Sequence, residues 1–297
     1  MMGGATIPSL RPALIPAVIG IALAVGLYLR LGWWGFLVLF PWIGAAISIG
    51  IHLRQILPRE RRALGRKVSI LLILPALLVF VPLANHENLQ LEGIVLLLSI
   101  GFFGKGVVHY AVAKVFGPLI WGRGFCGWAC WTAAVLDWLP VDGASRRIPD
   151  RIRSLRLLAL LLSVGFPLLL ILGMGFNVRG DYFRQAEVGW MATGNAIYYA
   201  LAIPLAYLFR DRRAFCKILC PVAPILKVPT RYSLLRVRPT GTECLGCGLC
   251  AEQCPMGIDV MGSIQGAGSV SNTECILCAT CIDSCPAGAL AIQLGIG

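Results

Sequence analysis

Residues 244–255 read CLGCGLCAEQCP, and residues 275–286 read CILCATCIDSCP. Both are C-x2-C-x2-C-x3-C-P, and the second starts 31 residues after the first. Four thiolates are the ligand set of a cubic 4Fe–4S cluster, and such short loops let the backbone wrap one. Zinc sites favour two separated ligand pairs, and disulfides belong to oxidising compartments. Neither accounts for two tight runs of four cysteines. Where two such runs occur together, the fourth cysteine of each serves the other cluster. This predicts one cluster on Cys244, Cys247, Cys250 and Cys285, and a second on Cys275, Cys278, Cys281 and Cys254.

Outward from these runs the composition changes. The chain has 297 residues, 58% hydrophobic and only 13% charged, with a mean hydropathy of +0.79. Soluble domains carry about 25% charged residues, so a disordered chain is excluded and the composition argues against an ordinary soluble enzyme. All 26 Lys and Arg lie at or before Arg238, with nine of the 14 acids, and the remaining five acids lie beyond it. A basic body suggests nucleic acid in a soluble protein. Here the basic residues separate long apolar runs, so membrane lipid is the expected partner and nucleic acid is not.

Six spans are expected: 12–28, 35–51, 68–84, a fourth from Gly93, 157–174 and 191–209. Each approaches the roughly 20 residues that cross the hydrocarbon core. The first reads as a retained helix rather than a cleaved leader. The links 52–67, 145–156 and 210–238 hold 19 Lys and Arg, and the alternate links hold three. The positive-inside rule then puts both termini, and the cysteine-rich tail, on the cytoplasmic side of the inner membrane.

The fourth span is the least regular. A helix of membrane length there encloses Lys105 and His109, which share one face. Ionisable groups inside a span are candidates for a quinone or buried-cofactor site; the alternative is a helix that ends early, with Lys105 snorkelling to the interface. His52 and His109 come without a C-x-x-C-H haem signature.

The other four cysteines repeat. RGFCGWAC at 123–130 aligns with RAFCKILC at 213–220, and each follows a pair of spans. A parallel repeat implies a pseudo-twofold axis along the membrane normal, which would bring Cys126, Cys130, Cys216 and Cys220 face to face. On a helix, C-x3-C sets its sulfurs one turn apart. A third Fe–S or other metal site, a pair of redox dithiols and simple packing remain alternatives. In the first of these, Arg123 and Arg213 would offset thiolate charge.

These motifs resemble those of the NapH/NosR-type polyferredoxin membrane proteins. The likeness covers about 68–297, with Trp131 standing where Pro221 stands in the second motif. It implies electron transfer between the quinone pool and a partner redox subunit. The expected architecture is an all-α polytopic membrane domain of six helices (1–220), a basic linker (221–240) and a small α+β two-cluster ferredoxin domain (241–297). The expected function is relay of electrons between quinone pool or cytoplasmic donor and a partner oxidoreductase, as a quinol dehydrogenase-type subunit; the alternative is redox maturation of a respiratory metalloenzyme. No acid–base or hydrolytic constellation is visible, and nothing resembles a signalling output domain.

Overall fold

The computed structural model describes residues 11–99, 101, 103–141, 148–175 and 181–295. Of the residues that enter the charge argument, Asp142, Arg146, Arg147 and Arg179 lie outside this set. Among the described residues, five helical stretches are long and apolar enough to cross a membrane: Pro12–Leu31, Phe36–Ile56, Arg59–Ala84, Asp150–Met174 and Ala186–Phe209.

Helices α1 (Arg11–Leu31) and α2 (Phe36–Ile56) form a hairpin. Small residues let their backbones meet: a side chain at Gly20 would overlap Phe40 O, and one at Gly44 would overlap Pro16 O. Without a hydrophobic drive in lipid, such close packing is what holds helices together. Helix α3 (Ala63–Pro75) continues through a π turn at Ala76–Phe80 into α4 (Val81–Asn85). Pro75 supplies the cause, since its ring disrupts the regular ladder.

The fourth expected span is not one helix. Helix α5 (Leu91–Ser99) has nine residues, and a second run starts with α6 (Lys105–Tyr110). That run passes through a π turn at Ala111–Phe116 into α7 (Gly117–Trp121). Two features force the break. Gly101 takes φ +72°, and Gly104 is extended. The Glu87 carboxylate then accepts from the backbone N–H groups of Lys105 and Gly106, satisfying donors that a helix start leaves open. Glu87, Asn88, Leu89 and Gln90 precede α5 as buried, non-helical backbone. Inside a membrane such backbone survives only where protein or a cavity surrounds it.

Short helices α8 (Gly124–Trp128) and α9 (Trp131–Leu136) follow. Then come α10 (Asp150–Arg153), α11 (Leu155–Met174) and the long α12 (Asp181–Phe209). Beyond α12 lie α13 (Ala214–Ile218) and α14 (Val222–Thr230).

The segment 221–240, expected to be a linker, thus carries α14 and strand β1 (Leu235–Pro239). β1 pairs antiparallel with β2 (Leu290–Leu294), Val237 opposite Ile292. The LRVRP alternation explains the strand: Val237 points into the core and its arginine neighbours point away. Between the strands lie α15 (Leu249–Glu252), α16 (Val260–Ala267) and α17 (Thr280–Asp283). One apolar cluster joins this region to the helices before it, uniting Met256, Ile258, Val270, Ile276 and Leu290 with Leu226 of α14 and Cys126 of α8.

Candidate metal centres

The two cysteine runs fold alike. Gly246 and Gly248 take φ +65° and +75°; the equivalent Leu277 and Ala279 take +48° and +62°. Non-glycine residues resist this left-handed region, so the second loop adopts the shape against its own side chains. Successive N–H groups in such turns point inward as an anion-binding concavity. One cavity is lined by Cys244, Cys247, Cys250 and Cys285. A second is lined by Cys254, Cys275, Cys278 and Cys281. In each, three cysteines come from one run and the fourth from the other. The backbone N–H of Ala289 lies 3.3 Å from Cys285 Sγ, and Thr280 Oγ1 lies 3.4 Å from Cys278 Sγ.

Among the described residues, no three His, Cys, Asp or Glu side chains converge on a single ion position. A cubic cluster does not ask for that, because each thiolate binds its own iron and the four ring a volume. Burial pushes the Cys275 thiol up to about 12 and raises Cys254 and Cys281 as well. Left as thiols these sulfurs are poor nucleophiles; bound to iron they are deprotonated outright. The donor set therefore fits Fe–S ligation.

The remaining cysteines lie where the membrane helices end. Cys126 is in α8 and Cys130 caps α9; Cys216 is in α13 and Cys220 precedes α14. Each C-x3-C straddles a helix break rather than riding one continuous helix. The break falls at Ala129 (φ −138°, ψ −4°) and at the equivalent Leu219 (φ −122°, ψ −8°). All four sulfurs lie within electrostatic reach of one another, and burial pushes Cys216 up to about 12 and Cys220 to about 11.

Arg123 and Arg213 are each 1% exposed, and both lie within electrostatic reach of these sulfurs. Arg213 donates to Asp137 at 2.7 Å and to Cys126 O at 3.0 Å, and Arg66 donates to the same carboxylate at 2.6 Å. Burial works against a charged Asp137, but Arg213 and Arg66 hold its carboxyl below the usual range. Arg123 instead donates to Glu274, the residue before Cys275. Glu274 also meets Arg156 and Lys227, both at 2.8 Å, and Arg153 at 3.2 Å. Burial would raise Glu274; Arg123, Lys227 and Arg156 bring it down to about 2. A second acid, Asp283, pairs with Arg54 at 2.8 Å.

These ion pairs press the second cluster loop against the first C-x3-C. A side chain on Gly127 would overlap Ile276 O, and Trp128 Nε1 donates to Leu277 O at 2.9 Å. The two motifs thus touch through backbone, one residue from Cys126 on one side and one from Cys275 on the other.

The structure separates Lys105 from His109 in surroundings. Lys105 is half-buried at the start of α6, whereas His109 is buried among Phe40 and Phe125 rings. Lys114 was not singled out from the sequence, yet its ammonium lies 3.1 Å over the Phe125 ring, beside Cys126. Nor does the sequence single out Glu274 or Asp137. For Glu274 no local signal exists, because Glu243 occupies the same place before the first run and is exposed. Glu92 and Glu187 could have been flagged, since acids beside or within apolar spans are rare.

Comparisons with known proteins fall on the same residues. A model described as a 4Fe-4S dicluster domain matches 243–290. A second, described as a 4Fe-4S binding domain, matches twice, at 110–147 and 196–238. The methylamine utilization ferredoxin-type protein MauN of Paracoccus denitrificans is 31% identical, over 63% of this chain and 70% of its own length. The regulatory protein NosR of Pseudomonas aeruginosa is 28% identical over 46% of this chain, and protein NirI of P. denitrificans 30% identical over 51%. The chain spans only 21% of that NosR and 24% of NirI. No solved structure matches.

Proposed function

We infer the function from one premise: the chain belongs to the NapH/NosR-type family of ferredoxin-like iron–sulfur membrane proteins. It is a multi-pass membrane protein of electron-transfer type. On that basis it relays electrons between the quinone pool, or a cytoplasmic donor, and a partner oxidoreductase. Bound 4Fe–4S clusters supply one-electron chemistry. The chain's own residues hold, insulate and align them.

In this reading Cys244, Cys247, Cys250 and Cys285 hold one cluster, and Cys254, Cys275, Cys278 and Cys281 the next. Cys126, Cys130, Cys216 and Cys220 hold a third Fe–S centre across the two-fold repeat. Having one family model match both repeat segments supports this, as does the shared helix break at Ala129 and Leu219. Arg123 and Arg213 offset the charge of that centre. His109 and Lys114 stand between it and the membrane interior. The broken segment 91–121 serves as the fourth of six crossings, and both termini are cytoplasmic.

The observation that carries the relay is the close approach of the Gly127 backbone to Ile276 O together with the hydrogen bond from the Trp128 indole to Leu277 O. Gly127→Val should separate the two cysteine groups: reduction of the C-terminal clusters by dithionite should stay fast, while electron passage from them to the membrane cysteines should fall at least tenfold. Equal rates in the variant and the native chain would refute the relay. A second reading uses the same cysteine sites: the relay reduces a metallocentre during assembly of a partner enzyme. Stoichiometric co-purification with an oxidoreductase favours the first reading; a passing association, with only a matured cofactor lost on deletion, favours the second.

A further inference from the structure

One cavity has no cysteine in its lining. It is about 280 Å³ and lies between α5, α11 and α12. At its base the Glu92 carboxylate accepts from Ser163 Oγ at 2.6 Å and from Tyr198 Oη at 2.9 Å. Tyr198 sits roughly 16 Å along α12 from its end at Phe209, near the middle of the apolar stretch. Gln90 and Glu187 also line the cavity, and they are 4% and 1% exposed. Gln90 Nε2, Glu187 Oε1 and Glu92 Oε2 have no hydrogen-bond partner among the described residues. Unsatisfied polar groups in an apolar medium cost several kcal/mol unless something meets them. The remaining wall is apolar, and Phe166, Trp190 and Ile197 are 46%, 39% and 53% exposed on the helix faces turned to lipid.

We propose that this cavity binds the headgroup of a lipid-soluble quinone or quinol, with its tail leaving between α11 and α12. The unmet groups match that chemistry. Gln90 Nε2 donates to a quinone carbonyl, and the Glu92 and Glu187 oxygens accept from quinol hydroxyls. Ring and tail lie against Phe166 and Trp190. A phospholipid acyl chain would leave all three polar atoms unmet, and a polar metabolite could not reach them through lipid. Gly194 leaves room for the Gln90 amide, since a side chain there would overlap Gln90 Oε1 and push the amide from its place. The site is separate from Lys105 and His109, neither of which lines the cavity. The proposal rests on the relay reading, supplying its membrane-side donor or acceptor.

The test uses the full chain in lipid nanodiscs and a ring-azido benzoquinone with a short alkyl tail. Irradiation should tag peptides that contain 88–93, 163–170 or 190–198. Excess untagged quinone should abolish the tag, and Gly194→Leu should lower it at least tenfold at unchanged iron content. Tagging centred on Lys105 and His109, tagging that resists competition, or undiminished tagging of Gly194→Leu would overturn the site. Should Gly194→Leu not fold, competition on the native chain decides alone. Iron measured in the same samples separates the two readings. Iron without competable tag overturns the quinone site and leaves a soluble donor, whereas tag without iron overturns the relay and leaves the site.

Discussion

Arg123 and Arg213 occupy the same place in the two R-x-F-C-x3-C repeats, and both are fully buried, yet they do opposite jobs. Arg213 turns inward. It shares Asp137 with Arg66 and braces the backbone at Cys126, all within the membrane part. Arg123 turns outward to Glu274, which precedes the second cysteine run. One motif copy thus locks the helices, and the other docks the ferredoxin region. A repeat supplies two matched sets of sulfurs, but only an asymmetric use of it leaves one set facing an electron partner. In the second copy Pro221 stands where Trp131 stands in the first, a difference in line with the two roles.

Four substitutions would break or sharpen the comparison. The largest effect is expected at Asp137. Asp137→Ala strands two buried guanidiniums and should cost about 3–5 kcal/mol, seen as loss of the folded protein in detergent thermal unfolding. Glu274→Gln keeps an acceptor but removes the charge that four cations share. It should weaken docking by about 3 kcal/mol, with the 240–295 region exchanging amide hydrogens faster while the membrane helices keep their protection. If both variants behaved alike, the division of labour between the two arginines would be wrong. Arg54→Ala removes a less buried pair with Asp283. About 1 kcal/mol of docking should go, read as a small rise in exchange confined to 279–286. Ala279→Gly is the mildest, relieving a left-handed backbone. It should stabilise the second cluster loop by about 0.4–1 kcal/mol, measured as slower cluster loss in air; faster loss would show that the methyl group matters more than the strain.

Much of this organisation is legible in the sequence. Hydropathy locates the five long helices to within a turn or two at most ends, because each is apolar enough to be read alone. The cysteine spacing points to iron–sulfur ligation, and the family models agree. What was not legible depends on partners far along the chain. The fourth expected span breaks at Gly101 and Gly104, and the distant Glu87 carboxylate takes the first N–H groups of α6. Residues 221–240 look like a linker because Pro and Arg dominate, but Leu226 and Val237 are buried against residues some 30 or more positions away. The kinks at Ala129 and Leu219 are changes at single residues that leave no periodicity to read. Glu243 and Glu274 are indistinguishable in sequence; only the second meets the arginines.

The account centres on the four membrane cysteines acting as a metal centre joined to the two in the tail. Iron and acid-labile sulfide, counted per chain in protein purified without oxygen, test it most directly. Three clusters of four irons predict about twelve iron atoms, falling to about eight in a Cys216→Ser, Cys220→Ser variant that keeps both C-terminal cluster signals. Iron near eight in the native chain, unchanged by that double substitution, would contradict it.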